Sequence, residues 1–345
     1  MEKNLFTFNF KLIPKGFLIF LVFVLAFEAF IYFLPPYLAL RPPYGSAYLK
    51  LKEQILDKKN DFDLIIFGDC TSWTGIKPVL LNKELSVSSY NFSVNEAHTY
   101  LMSYLFLKRY LSNCTKKPKI VILSISPNSL LGNHKVDLNQ LNKEILPYFD
   151  TKLDLMNELN NNLKIQLIKH RILTLIPSIK KQFILKERFQ DLYKYCSNPN
   201  ASYSFIEYFK SARGFYDENL NRHKSTIKKA AHVRKSYKSF TVSEYNLLYM
   251  EKMLSLLAEQ NIEVIVCTNS VRADEMKMWN AYDLKNKLFE LINLKLKPHK
   301  NVIAILDMLD AASDKDNFAD EIHLNSNGAT IYTNELASRL KPFIQ

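Results

Sequence analysis

Asp63-Leu64-Ile65-Ile66-Phe67-Gly68-Asp69-Cys70-Thr71-Ser72 is the stretch on which the reading of the fold turns. Leu64 to Phe67 are four apolar residues in a row, closed by a glycine, as in a short strand buried on both faces. A helical pattern follows from Lys77 to Leu85, and Ser88 to Ser93 reads as a second short strand. From Ala97 to Leu111, the residues Leu101, Tyr104, Leu105, Lys108 and Leu111 recur at i, i+3, i+4 spacing, which predicts an amphipathic helix. Lys119 to Ser124 is a third, plainly buried strand. The pattern breaks at Pro127 and resumes at Ser243, a helix N-cap type, with a helix to about Gln260. Ile262 to Cys267 and Val302 to Leu306 then read as strands, residues 272–294 as helical, and Ser326 as the cap of a last helix ending near Leu340. Strands alternating with helices imply an α/β fold, a three-layer parallel sheet with helices on both faces.

Outward from that core the chain divides into four parts. Residues 1–15 form a short tail, and 16–36 a transmembrane anchor. Residues 37–128 and 241–345 make the α/β domain, and 129–240 a basic helical insertion or lid. Gly16 to Leu34 holds 19 residues with one charge, Glu28, enough to cross a hydrocarbon core of about 30 Å as a helix. Pro35-Pro36 ends it, and no small-x-small cleavage site follows, so the anchor reads as uncleaved. The alternative is a buried core helix. Glu28 faces a membrane partner, is protonated, or snorkels. Lys3, Lys11 and Lys15 before the helix balance Arg41, Lys50 and Lys52 after it, so charge does not set the orientation.

The 345 residues carry a net charge of +12, and 48% of them are hydrophobic, which excludes general disorder. Residues 161–240 hold 17 Lys and Arg against 5 Asp and Glu, so this one segment carries the entire excess. It is either a solvated lysine-rich face or a surface for anionic lipid or acidic glycan. Nucleic acid is excluded as the expected partner, because the chain has an anchor and no nucleic-acid module. Cys70, Cys114, Cys196 and Cys267 show no metal-ligand spacing, so no metal and no cofactor is expected, and no disulfide pairing is favoured. Only 7 glycines occur, so each is expected where the backbone needs one.

Open parallel sheets bind ligands beyond the carboxyl ends of their strands. Three such ends carry suggestive residues: Gly68-Asp69-Cys70 with Gly75 shortly after, Ser126-Pro127-Asn128, and Asp320-Glu321-Ile322-His323 after the last strand. In this order and spacing they resemble the SGNH/GDSL hydrolase superfamily, over about 37–128 and 241–345. That resemblance implies a flavodoxin-like sheet and a nucleophile after Gly-Asp at the end of strand one. It also implies an Asp-x-x-His pair before the terminal helix. Three features depart from it. Cys70 stands where serine is usual, Asn91-Phe92-Ser93-Val94-Asn95-Glu96 lacks the second-block glycine, and the third block keeps only Asn128.

Cys70 then becomes the nucleophile, favoured as a thiolate at a helix start, with His323 as base and Asp320 as its orienter. Asn128 and the Cys70 amide become oxyanion donors. Gly68, Asp69 and Gly75 are structural residues near the site. The alternatives are an inert Cys70, a nucleophilic Ser72, an Asp320–His323 pair that only pins the last helix, and an Asn128 that only makes a turn. His98, His134, His170, His223, His232 and His299 have no partner pattern. The anchored architecture is similar to the D-alanine transfer proteins of teichoic acid synthesis and the accessory proteins of alginate O-acetylation. What this similarity implies is an extracytoplasmic domain on the cytoplasmic membrane, beside a multi-spanning O-acyltransferase. Its activity would be acyl-ester hydrolysis or O-acyl transfer on a cell-surface glycan or glycolipid. The alternative is a catalytically degenerate scaffold for that partner.

Overall fold

The computed structural model describes residues 15–33, 52, 55–56, 60–94, 99–131, 165, 211–216 and 240–344. The chain falls into two compact units, one of Met1–Leu40 with Met156–Asn200, the other of Arg41–Leu155 with Ala201–Gln345. In the first unit the described part is helix α1 (Lys15–Phe33) and Ile165. Phe17, Ile19, Phe20, Val22 and Phe23 of α1 are exposed. Among the described residues no helix is long and apolar enough to cross a membrane. The side chains of Leu18, Glu28 and residues 30–33 lie outside them, so the anchor and the reading of Glu28 rest on sequence. The short tail, Cys196, and the basic stretch 161–240 apart from Ile165, Ser211–Tyr216 and Phe240 also lie outside the described residues.

The second unit is an α/β fold. Its five parallel strands are β1 (Leu64–Phe67), β2 (Ser89–Asn91), β3 (Ile120–Ile125), β4 (Glu263–Thr268) and β5 (Val302–Leu306), in the order 2-1-3-4-5. That is one of the two common doubly wound orders, whose ligand crevice lies where the order reverses, between β1 and β3. The register sets Phe67 beside Leu123, and Ile125 beside Thr268, so β1, β3 and β4 end near one another. The sequence accounts for this core. Ile, Val and Leu fill β3 and β4 and bury both faces of the sheet. Leu64, Ile66, Ile120, Ile122, Ile265 and Cys267 join one cluster with the terminal helix, while Phe67 stacks on Phe92 at 5.7 Å.

The helices begin and end for local reasons. Asp69 caps α2 (Cys70–Gly75), and Pro78 opens α3 (Pro78–Leu85), where a missing N–H costs nothing. The amphipathic α4 (Thr99–Asn113) leads to β3. A single turn, α5 (Pro127–Leu130), follows β3. Ser243 caps α6 (Glu244–Glu259) through the amide of Asn246 at 3.2 Å, as its sequence predicts.

Two expectations change. The helical stretch 272–294 is two helices, α7 (Ala273–Ala281) and α8 (Leu284–Lys295), because Asp283 takes a left-handed φ of 54°, a conformation short Asx side chains tolerate. The cap of α9 (Ser326–Leu340) is Asn325, not Ser326; its Oδ1 accepts the Gly328 amide at 2.9 Å, and Ser326 Oγ accepts from Lys77 instead.

An antiparallel bridge between Leu131 and Val242 brings together the chain on either side of 132–241. Ser211–Tyr216, inside the range read as insertion, packs on the sheet unit. Ala212 and Phe215 join its core, and Tyr216 lies against Trp73 of α2 at 4.8 Å. Gly214 makes that approach possible. Its φ is +86°, and a Cβ there would lie 2.3 Å from the Asn91 carbonyl.

Candidate active site

The site begins with the turn between β1 and α2. Asp69 is buried, and its Oδ1 accepts the Thr71 amide at 2.9 Å, the Thr71 hydroxyl at 2.6 Å and the Ser72 amide at 3.4 Å. Its Oδ2 accepts the Ser126 hydroxyl from the end of β3. Asp69 is thus an N-cap and a tie between strand ends, the structural role its position predicts. Gly68 is required by contact: a Cβ would lie 2.2 Å from Ser72 Oγ and 2.7 Å from the Ser124 carbonyl. Gly68→Ala should therefore cost about 1–3 kcal/mol by overpacking, read as a lower melting temperature. Gly75, by contrast, has ordinary room, with Leu324 at 3.6 Å as its nearest contact, so scarcity did not make every glycine a steric necessity.

A buried amide completes the turn from beneath. Asn269, just beyond β4, donates to Thr71 Oγ1 at 2.6 Å and Ser72 Oγ at 2.9 Å, and accepts from Ser124 Oγ at 2.6 Å. Sequence reading missed it, although the rule that singled out the other strand ends applies equally to Cys267-Thr268-Asn269. Asn269→Ala removes one hydrogen bond from each of three buried hydroxyls, and a loss of roughly 2–3 kcal/mol in urea unfolding is expected. The same network removes Ser72 as a nucleophile, because it is fully buried and its oxygen faces Asn269. Cys70, at the first position of α2, is half-buried and is not in a disulfide.

Opposite this turn stands the loop before α9. His323 Nδ1 lies 2.8 Å from Asp320 Oδ2, while Asp320 Oδ1 accepts the amides of Ile322 and His323 at 2.8 and 2.7 Å. One carboxylate thereby shapes its own loop and orients the ring. The Ala319 amide on the His323 carbonyl at 2.8 Å and a bridge between Phe318 and Leu324 close the loop. Lys77, just before α3, reaches Ser326 Oγ and Thr330 Oγ1 of α9, both at 2.9 Å, so the two sides of the site are joined.

Cys70 and His323 are hydrogen-bonded through their side chains. Since Nδ1 is held by Asp320, Nε2 is the nitrogen left for the sulfur. Burial works against a charged ring, yet the negative sulfur of Cys70 and the bond from Asp320 outweigh it. They carry His323 well above its ordinary titration range. On Asp320 burial pushes upward, and hydrogen bonds from the ring and amide of His323 overcome it, so the carboxyl sits well below its usual range. His323 keeps 17% of its side-chain surface exposed, so the ring is reachable.

The structure therefore brings the side chains of Cys70, His323 and Asp320 together. Asn128 lies in α5 by its backbone, and its side chain falls outside the described residues. Asn91 at the second block is a staple: it donates to the carbonyls of Ser72 and Ile76 at 3.0 and 3.2 Å and so holds the end of α2. A cavity of about 30 Å³ opens beside the turn, lined by Thr71, Ser126, Asn269, Arg272, Phe318 and Ile322 among others.

Residues 46–337 match the DUF1574 family, described as "Protein of unknown function". The chain belongs to that family. The DUF1574 match spans Cys70, Asp320 and His323 together with the whole stretch between them. Among solved structures, one similar chain is from Bacteroides fragilis NCTC 9343 and is described as a "putative acylhydrolase". The two share 9% identity at a TM-score of 0.39, over 87% of this chain and 96% of that one. No curated protein matches the chain.

Proposed function

We propose that the protein is an acyl-ester hydrolase or O-acyltransferase of SGNH type that works through Cys70, His323 and Asp320. The observation that carries the reading is the hydrogen-bonded chain from Cys70 to His323 to Asp320, with the His323 pKa raised by the sulfur's charge. The Cys70 thiolate attacks the carbonyl carbon of an acyl donor, and the carbonyl oxygen takes up the negative charge. The Cys70 amide, at the start of α2, is the backbone donor proposed for that charge. Asn128 is the side chain proposed as second donor. The tetrahedral species collapses, the donor's oxygen leaves with the proton of His323, and a Cys70 thioester remains. Water or an alcohol then gives its proton to His323 and attacks the thioester, and the thiolate returns. Asp320 keeps the ring turned toward the sulfur in both steps.

The anchor and the surface glycan or glycolipid acceptor belong to the same proposal. So does an extracytoplasmic position beside a multi-spanning O-acyltransferase. Support for the anchor comes from the apolar sequence Gly16 to Leu34 and the exposed apolar side chains of α1. Support for the rest is the resemblance of the blocks and the basic segment 161–240. The test is to incubate the purified full chain in detergent with a p-nitrophenyl ester of a short acid and search the quenched protein for acyl-Cys70 by peptide mass. A thioester at Cys70 supports the proposal. A folded protein that neither turns over the ester nor carries the acyl group leaves the degenerate scaffold as the reading.

A further inference from the structure

Arg272 sits behind the histidine loop and has no part in the triad. It is the residue before α7, only 9% exposed, and its backbone is fixed on both sides: the Val271 amide bonds the Leu309 carbonyl, and the Ala273 amide the Ser313 carbonyl, both at 2.8 Å. Nε and Nη2 donate to the two carboxylate oxygens of Asp274 at 2.5 and 2.7 Å. A guanidinium gripped on two donors is locked in its plane, which aims its remaining donors. Nη1 reaches the Asp320 carbonyl at 3.2 Å. The carboxylates acting on Arg272 are those of Asp274, Glu275 and Glu321, and the bond to Asp274 contributes most to holding its charge.

The loop that Arg272 holds presents Asp320 and His323 to Cys70. Asp320 fixes the ring relative to its own loop. Lys77 ties the far end, at α9, and Arg272 ties the near end, at Asp320 itself. We infer that Arg272, clamped by Asp274, is a positioning residue that sets the reach of His323 to Cys70 through the Asp320 carbonyl. The inference rests on the proposed Cys70–His323 pair.

The experiment follows Cys70 alkylation by iodoacetamide against pH in the full-length protein, with ester turnover alongside. Arg272→Ala should move the alkylation midpoint by about one unit toward that of a free thiol and lower kcat about 10-fold with KM unchanged, as expected for lost alignment. Arg272→Lys should recover part of both, and free guanidinium should restore part of the Arg272→Ala loss. Asp274→Asn, which keeps the arginine but loosens its grip, should give an intermediate shift and serves if Arg272→Ala does not fold. Arg339→Ala removes another carbonyl-bonded arginine, on Asp307, and should change nothing. A folded Arg272→Ala or Asp274→Asn protein with the wild-type alkylation profile overturns the inference alone. A wild-type Cys70 that titrates as a free thiol overturns the pair, and the inference with it.

Discussion

Cys70→Ala should abolish ester turnover, a fall of about 10⁴-fold or more in kcat, and should leave no acyl adduct after quenching. The size follows from the covalent route: without the sulfur no thioester forms, and what remains is water attack helped by the amide and the loop. The melting temperature should hardly move, because Cys70 is half-buried and Asp69 fixes the turn through its neighbours' amides. That separation makes the variant informative, since activity and stability are carried by adjacent but different residues. Cys70→Ser should fall between the two. Its hydroxyl keeps the geometry but needs His323 to take its proton in the attacking step, whereas the thiolate is already charged. Equal turnover by wild type and Cys70→Ala would place the chemistry elsewhere in the chain. Ser72 could not inherit it, since its oxygen is buried against Asn269.

The site divides sharply into what the sequence reveals and what it hides. Cys70, Asp320 and His323 were legible because each lies next to a strong local signal: a strand end, a helix start, a three-residue spacing before a helix. The parallel sheet was legible for the same reason, as apolar runs of strand length separated by helical periodicity. Asn269 and Arg272 were not. Both act through partners far along the chain, Asn269 on residues about two hundred positions earlier and Arg272 on a backbone carbonyl, and no local pattern records such a partner. Asp283 broke an expected long helix by entering the left-handed region, a choice that propensity alone does not encode. Gly75 shows the opposite error, in which rarity suggested a steric demand that its surroundings do not make.

His323→Ala should cost ester turnover about 10³-fold, within the usual range for a general acid and base. It should also change how Cys70 titrates, and the sign is fixed by reciprocity. An interaction that carries the His323 pKa upward through the sulfur's negative charge must carry the thiol pKa downward. In the wild type the thiolate should therefore persist into mild acid, with an alkylation midpoint well below the ordinary thiol value of about 8.5. In His323→Ala the midpoint should return to about 8.5, so that near pH 6 only roughly one sulfur in 300 is ionised. The fall in alkylation rate at that pH should be smaller, about 10-fold, because a thiolate of lower pKa is also a weaker nucleophile. Turnover should show a second edge. Above the raised His323 pKa the ring has lost the proton that the leaving group needs, so acylation of Cys70 should decline there while alkylation continues. Asp320 stays ionised across this range, since its own pKa lies below the usual carboxylate values, and it shapes neither edge. An alkylation midpoint identical in wild type and His323→Ala would mean that the two side chains touch without sharing charge.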